Sequence, residues 1–154
     1  MSNNSNNKKV IFALGSNLGD RAKNLDDALL MLKQELLLEN VKTSKILINQ
    51  ALLLPDSPPE WNLEFFNIAI SGVVDLSRFE PLKILEVIKQ IEQNLQRNSK
   101  GKWSPRTIDI DILLIENTKI YNPPQLVIPH IEILNRDFFL IPLNEIEPDW
   151  QKIL

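Results

Sequence analysis

From Thr107 to Ile115 the chain reads Thr-Ile-Asp-Ile-Asp-Ile-Leu-Leu-Ile. Apolar residues alternating with aspartate suit a strand, whose side chains point to opposite faces in turn. The pattern predicts that Ile108, Ile110, Ile112 and Leu114 form one apolar face that packs on helices. Asp109 and Asp111 then project together from the other face, their backbones about 6.6 Å apart. Aspartate is a poor strand residue, and two like charges on one face repel unless something positive lies between them. Two readings fit. The pair is a solvated edge, or it holds a hard divalent cation, or a pair of them, bridging phosphate oxygens. The segment just before it favours the second reading. Asn94 to Ile108 contains Arg97, Lys100, Lys102 and Arg106 and no acid, inside a chain of net charge -3. Cations beside carboxylates suit a polyphosphate, with metal on some oxygens and arginine or lysine on others. Trp103 in this segment offers an aromatic face to a ligand, or fills a buried position.

The remaining elements follow from periodicity. Lys9 to Leu14 is a short apolar run ending at Gly15, which suits a buried strand. Leu25, Ala28, Leu29, Leu32 and Leu36 recur at helical spacing and predict an amphipathic helix over about 24–38. Val41 to Ile48 reads as a strand, and Leu54 to Asn62, with Pro55, Pro58 and Pro59, as a loop. Phe65 to Val74 is a strand. Pro81 opens a second helix, where its missing N–H costs nothing, running to about Gln96. Arg97 to Arg106 is a polar loop, expected to be mobile without ligand. The last forty residues, with five prolines, read as short irregular pieces. The order β-α-β-β-α-β plus a tail predicts an α+β, ferredoxin-like fold: an antiparallel sheet with two helices on one face. Such a fold serves many activities, so function rests on the site.

Composition narrows the chemistry. The 154 residues predict one domain, over 9–154, behind a polar tail at 1–8 that has no apolar core of a secretory signal. The chain has no cysteine and one histidine, His130. Disulfides, thiolate zinc sites, iron–sulfur clusters, a cysteine nucleophile and multi-histidine metal sites are therefore excluded. Any metal is held mainly by oxygen, which points to magnesium, manganese or calcium. An excess of acid over base argues against a nucleic-acid binder. No apolar run nears the ~18 residues a membrane helix needs. The expected setting is cytoplasmic.

Three more features invite a ligand. Glu92 falls on the apolar stripe of the second helix, seven after Leu85 and four after Ile88. A buried unpaired carboxylate is costly, so Glu92 faces a cavity, a cation or a polar ligand group, or else reaches water from the stripe's edge. Phe65 and Asn67 share one strand face with Ala69 and Ser71, while Phe66, Ile68 and Ile70 share the other. A ring beside a carboxamide suits a flat heterocycle, or simply an exposed sheet face. Pro129-His130 and Arg136-Asp137-Phe138 lie in the tail. Gly15-Ser16-Asn17-Leu18-Gly19-Asp20 lacks the spacing of either common phosphate loop and reads as a strand-to-helix turn.

Together the segments Ala13-Leu14-Gly15-Ser16-Asn17-Leu18-Gly19-Asp20-Arg21, Phe65-Phe66-Asn67, Trp103-Ser104-Pro105-Arg106-Thr107-Ile108-Asp109-Ile110-Asp111, Ile128-Pro129-His130 and Asn135-Arg136-Asp137-Phe138 resemble the 6-hydroxymethyl-7,8-dihydropterin pyrophosphokinases of folate biosynthesis. The resemblance runs from Val10 to Trp150. It implies transfer of pyrophosphate from ATP to the hydroxymethyl group of the reduced pterin, leaving AMP, with two magnesium ions and a ferredoxin-like fold. It implies that Asp109 and Asp111 hold both ions, that Arg97 and Arg106 contact the phosphates, and that His130 and Arg136 contact ATP. It sets the pterin between Phe65 and Phe138, with Asn67 reading its edge. It sets Glu92 near ATP and makes Trp103 a residue that closes over the site. The resemblance also allows fusion to, or work beside, dihydropteroate synthase.

The chain departs from the family in places. A second arginine usual after the second helix is missing at Arg97-Asn98-Ser99, and lysine there supplies charge without bidentate geometry. Ser104 stands where glycine is common. The usual Thr-Pro segment before the third strand is replaced by Gln50-Ala51-Leu52-Leu53-Leu54 and a longer loop. A non-catalytic nucleotide-sensing module on the same fold is the alternative. It would have no need of two aspartates beside a basic segment.

Overall fold

The computed structural model of the chain describes residues 6–50, 53–61, 63–96 and 107–154. The central strand, β1 (Asn7–Ser16), begins two residues inside the stretch read as a polar tail. Helix α1 (Arg21–Glu35) follows a turn in which Gly19 takes a φ of 74°, and the Asp20 carboxylate caps the helix by accepting the Lys23 N–H at 3.1 Å. Leu25, Ala28 and Leu32 face inward. The strand expected over 41–48 is two segments, β2 (Glu39–Thr43) and β3 (Leu47–Gln50). Between them the ladder slips, and the Ser44 hydroxyl accepts the Ala69 N–H at 2.9 Å in place of a backbone carbonyl. The Pro-rich connection holds a 3-10 turn at Pro59–Trp61. Strand β4 (Glu64–Asp75) and helix α2 (Pro81–Leu95) follow, the helix opening on proline and burying Ile84, Ile88 and Ile91.

Strand β5 (Asp109–Ile115) completes an antiparallel sheet in the order β2-β4-β1-β5, with β3 continuing the β2 edge. This is the ferredoxin-like arrangement. Both helices cover one face, over Phe12, Leu14, Leu25, Leu32, Ile70, Ile84 and Ile88. The expected apolar face of β5 holds for Ile108, Ile110 and Ile112, and fails at Leu114. Phe12 pairs with Ile112 but Ile11 with Leu114, so Leu113 is an extra residue in a bulge. The bulge turns Leu113 and Leu114 to the opposite face and returns Ile115 to the helices.

The C-terminal part is more regular than its prolines suggest. A hairpin, β6 (Ile120–Asn122) with β7 (Leu126–Ile128), precedes a third helix, α3 (Asp137–Ile146), and a final 3-10 turn. Pro142 lies inside α3 and removes one helical hydrogen bond. Burial outweighs that loss: Phe139, Leu143 and Trp150 pack with Ile11, Ala13, Leu113 and Leu114 on the sheet face that α1 and α2 leave open. The face carrying Asn67, Ala69 and Ser71, for which an exposed sheet face is one of the two sequence readings, is therefore buried too.

A charge cluster around the buried Glu147 fastens α3 to the sheet. Glu147, just past the helix, accepts from Lys9 Nζ at 2.8 Å and Ser71 Oγ at 2.8 Å, with Lys42 Nζ at 3.4 Å. Burial pushes its carboxyl up, but these hydrogen bonds and the two lysine charges outweigh that and hold it below the usual value. Glu145 adds a second tie by accepting the Lys45 N–H at 2.9 Å.

Candidate active site

Strand register brings the predicted groups together. Gly15 pairs with Asn67 on one side and Asp109 on the other, and Ala13 pairs with Ala69 and Asp111. Carboxamide and carboxylates thus flank two positions with little or no side chain. The result is a small, partly open cleft floored by Ala13 and Gly15. Phe65, Asn67, Asp109, Asp111, Arg136 and Phe138 all line it. A Cβ at Gly15 would stand 3.1 Å from Asn67 Oδ1 and 3.2 Å from the Phe65 ring, so any larger residue makes both groups give by a few tenths of an ångström.

The first turn of α3 forms the opposite wall. Phe138 meets Phe139 edge-on at 5.0 Å, and Phe139 meets the His130 ring edge-on at 5.0 Å. The Arg136 guanidinium lies 5.7 Å from the Phe138 ring centre and 3.7 Å from the Glu132 carboxylate.

His130 joins the hairpin to the bulge of β5. Its N–H donates to the Leu113 carbonyl at 2.7 Å, and its Nδ1 accepts the Glu132 N–H at 3.0 Å. An accepting Nδ1 carries no proton, so in the neutral ring the proton sits on Nε2. Nε2 faces Asp111 Oδ1 at 3.8 Å. Asp111 and His130 also line a second hollow beyond the outer edge of β5, walled by Leu85, Ile112, Tyr121 and Leu126. Asp111 therefore stands between two hollows.

Glu92 has a partner of its own. Its Oε2 accepts the Ile110 N–H at 2.9 Å, a group on the strand edge away from β1, and Gln96 Nε2 donates to the Ile108 carbonyl. One turn of α2 thereby grips the backbone on either side of Asp109. The carboxylate on the apolar stripe is satisfied by edge-strand backbone. Arg97, Trp103 and Arg106 lie outside the described residues, as does Ala51.

Asn49 was missed by sequence reasoning. It lines the cleft from β3, and its carboxamide oxygen accepts from Asn67 Nδ2. Nothing in the local pattern could have placed it, because the register of β3 on β4 sets the contact. The small residues Ala13 and Gly15, two apart on one strand face, were a visible signal of a floor.

Asp109 and Asp111 offer a metal oxygen donors only. Among the described residues no three His, Asp or Glu side chains cluster as a metal site. Two aspartates alone suit ions that take their other ligands from phosphate and water, as magnesium does.

Fold and site together define a small α+β domain whose carboxylate pair lines a cleft, with Asp111 shared by a second hollow. Residues 11–148 match the family model of 7,8-dihydro-6-hydroxymethylpterin-pyrophosphokinase (HPPK). A 2-amino-4-hydroxy-6-hydroxymethyldihydropteridine pyrophosphokinase of Bacillus subtilis is 36% identical over 140 residues, covering 91% of this chain and 78% of that protein. The folate synthesis bifunctional protein of Chlamydia caviae is 43% identical over 132 residues, covering 85% of this chain and 28% of that protein. The wild-type HPPK-DHPS of Plasmodium falciparum superposes with a TM-score of 0.63 at 18% identity, over 96% of this chain and 42% of that one, a likeness of fold. The chain belongs to the HPPK family. It spans less than a third of the length of the chlamydial bifunctional relatives it matches.

Proposed function

We propose that this chain transfers pyrophosphate from ATP to the hydroxymethyl group of 6-hydroxymethyl-7,8-dihydropterin, giving AMP and the pterin diphosphate for folate biosynthesis. The observation that carries the reading is the position of Asp111, shared by the two hollows with Asp109 beside it. One hollow takes the pterin and the other the nucleotide, so the acceptor hydroxyl and the polyphosphate meet at the carboxylates.

The pterin lies between Phe65 and Phe138, with Asn67 on its edge. Stacking of this kind adds about 0.5–1.5 kcal/mol per ring beyond burial. Asp109 and Asp111 would hold two magnesium ions, whose chemistry is to neutralise charge on the transferring group. His130, with its proton on Nε2, donates to a phosphate oxygen, and Arg136 supplies a second cation. Arg97 and Arg106 bind phosphate in this reading, and Trp103 covers the nucleotide. Glu92 serves ATP through the β5 backbone it holds. In this reading the protein acts in the cytoplasm. No helix among the described residues is long and apolar enough to cross a membrane. The bifunctional relatives support a partnership with dihydropteroate synthase, fused or separate; no nucleic acid is involved.

The test is to mix protein, ATP, magnesium and the reduced pterin and identify the nucleotide product. AMP without free pyrophosphate is expected. ADP would make it a simple kinase, and absence of turnover would sink the proposal.

A further inference from the structure

Asn49 has no role in the reading above, yet it touches the group assigned to read the substrate. Its carboxamide oxygen accepts from Asn67 Nδ2, and its own Nδ2 donates to the Gln50 carbonyl at 2.8 Å. Asn67 is only 5% exposed. The other acceptors around its amino group are the Leu47 carbonyl at 3.1 Å and the Phe65 carbonyl at 3.5 Å. A carboxamide has nearly the same shape either way round, so its partners decide which end is oxygen. Backbone carbonyls only accept. Turning Asn67 over would set its oxygen against the carbonyl of Leu47 and the oxygen of Asn49. The oxygen instead lies over Gly15, on the floor of the cleft.

We propose that Asn49 is a specificity-determining positioning residue: it locks the Asn67 carboxamide with its oxygen toward the cleft, so that the site selects a flat heterocycle whose facing edge carries N–H donors. The inference rests on the placement of the pterin against Asn67 proposed above. A pterin ring offers such an edge in its 2-amino group and ring N3–H. A ring methylated at N3 loses one donor and leaves the Asn67 oxygen short of a partner. Without Asn49, one of the acceptors that oppose the turned-over amide is gone, and discrimination between the two rings falls.

The experiment compares wild type, Asn49→Leu and Asn49→Asp by calorimetric titration. The probes are 6-hydroxymethyl-7,8-dihydropterin, its N3-methyl analogue, and a non-hydrolysable ATP analogue with magnesium. Leucine removes the acceptor at similar volume, whereas aspartate keeps an oxygen toward Asn67 Nδ2. Asn49→Leu is expected to weaken pterin binding at least ~10-fold and to narrow the preference over the methylated ring at least ~5-fold. Asn49→Asp is expected to stay within about threefold of wild type on both counts, and nucleotide affinity within about twofold in both variants. Unchanged pterin affinity in Asn49→Leu overturns the proposal, as does equal loss in the two variants. Parallel loss of nucleotide binding in Asn49→Leu reveals a general structural role and also overturns it. Wild type that binds nucleotide but no pterin removes the functional reading and this inference together. Wild type that binds both, with an indifferent Asn49→Leu, removes the inference alone.

Discussion

Gly15 shows how a single residue sets the site. Its backbone pairs with β4 and β5 at once, and its missing side chain leaves the space that Asn67 and Phe65 occupy. Gly15→Ala is expected to push both groups upward and weaken pterin binding by roughly tenfold, about 1.4 kcal/mol, with nucleotide binding little changed. Titration with each ligand separately checks it, and equal loss of both would place the damage elsewhere. Asp109 and Asp111 make a second case. Each lies in the other's field from one strand face, so replacing either by asparagine relieves repulsion in the free protein. The melting temperature should hold or rise slightly. Loss of one anionic ligand removes several kcal/mol of charge stabilisation from the transferring group, so turnover should fall at least ~100-fold. Raised magnesium should restore it only in part. Near wild-type turnover by either variant in ordinary magnesium would remove that aspartate from the mechanism. The residue types here were legible in the chain: alternating aspartates, a ring next but one to a carboxamide, a glycine at a strand end. Asn49 was not, because its partner lies on another strand.

At the scale of the element, α3 is the instructive case. Its residues supply one wall of the cleft, yet its sequence carries an internal proline and follows three others in a short stretch. Local propensity argued against a helix there, and the open sheet face overrode it. Glu147 anchors the end of this helix, and its depressed carboxyl pKa makes the anchor acid-sensitive. A group whose folded pKa lies below its unfolded one takes up its proton first in the unfolded chain. Its contribution is therefore fully present above the unfolded value and disappears as pH falls through the folded one. Hydrogen bonds to a charged group are worth about 1.5–3 kcal/mol, so Glu147→Gln should cost on the order of 2 kcal/mol at neutral pH. The gap between wild type and variant should stay constant above about pH 5.5 and close below about pH 4.5, as carboxylates ordinarily titrate. Urea unfolding of both proteins across that range measures it. A gap independent of pH would mean that packing, and not charge, holds α3 down.

For the molecule as a whole, two hollows that share Asp111 make ligand binding a stability measurement. A ligand that binds only the folded chain adds about 2.7 kcal/mol at a hundred times its Kd. For a domain of this size that corresponds to a rise in Tm of roughly 5–10 °C. The pterin should deliver such a rise with or without magnesium, since rings and a carboxamide hold it. The nucleotide should need magnesium, because two carboxylates face its phosphates. Scanning calorimetry with each ligand, in magnesium and in EDTA, separates the cases. A nucleotide shift untouched by EDTA would sink the assignment of Asp109 and Asp111. The sequence by itself determined the faces of the first two helices and of most strand positions before Leu113, because the period of two in strands and near four in helices is local steric geometry. It also determined which chemistry was possible, since side-chain types do not depend on the fold. Only the tertiary structure decided which faces meet. The bulge at Leu113, the slip between β2 and β3, the helix at Asp137–Ile146 and the grip of Glu92 on the β5 edge all depend on partners distant in the chain. Hydrogen bonds and buried area exist only once those partners arrive, so no local pattern encodes them.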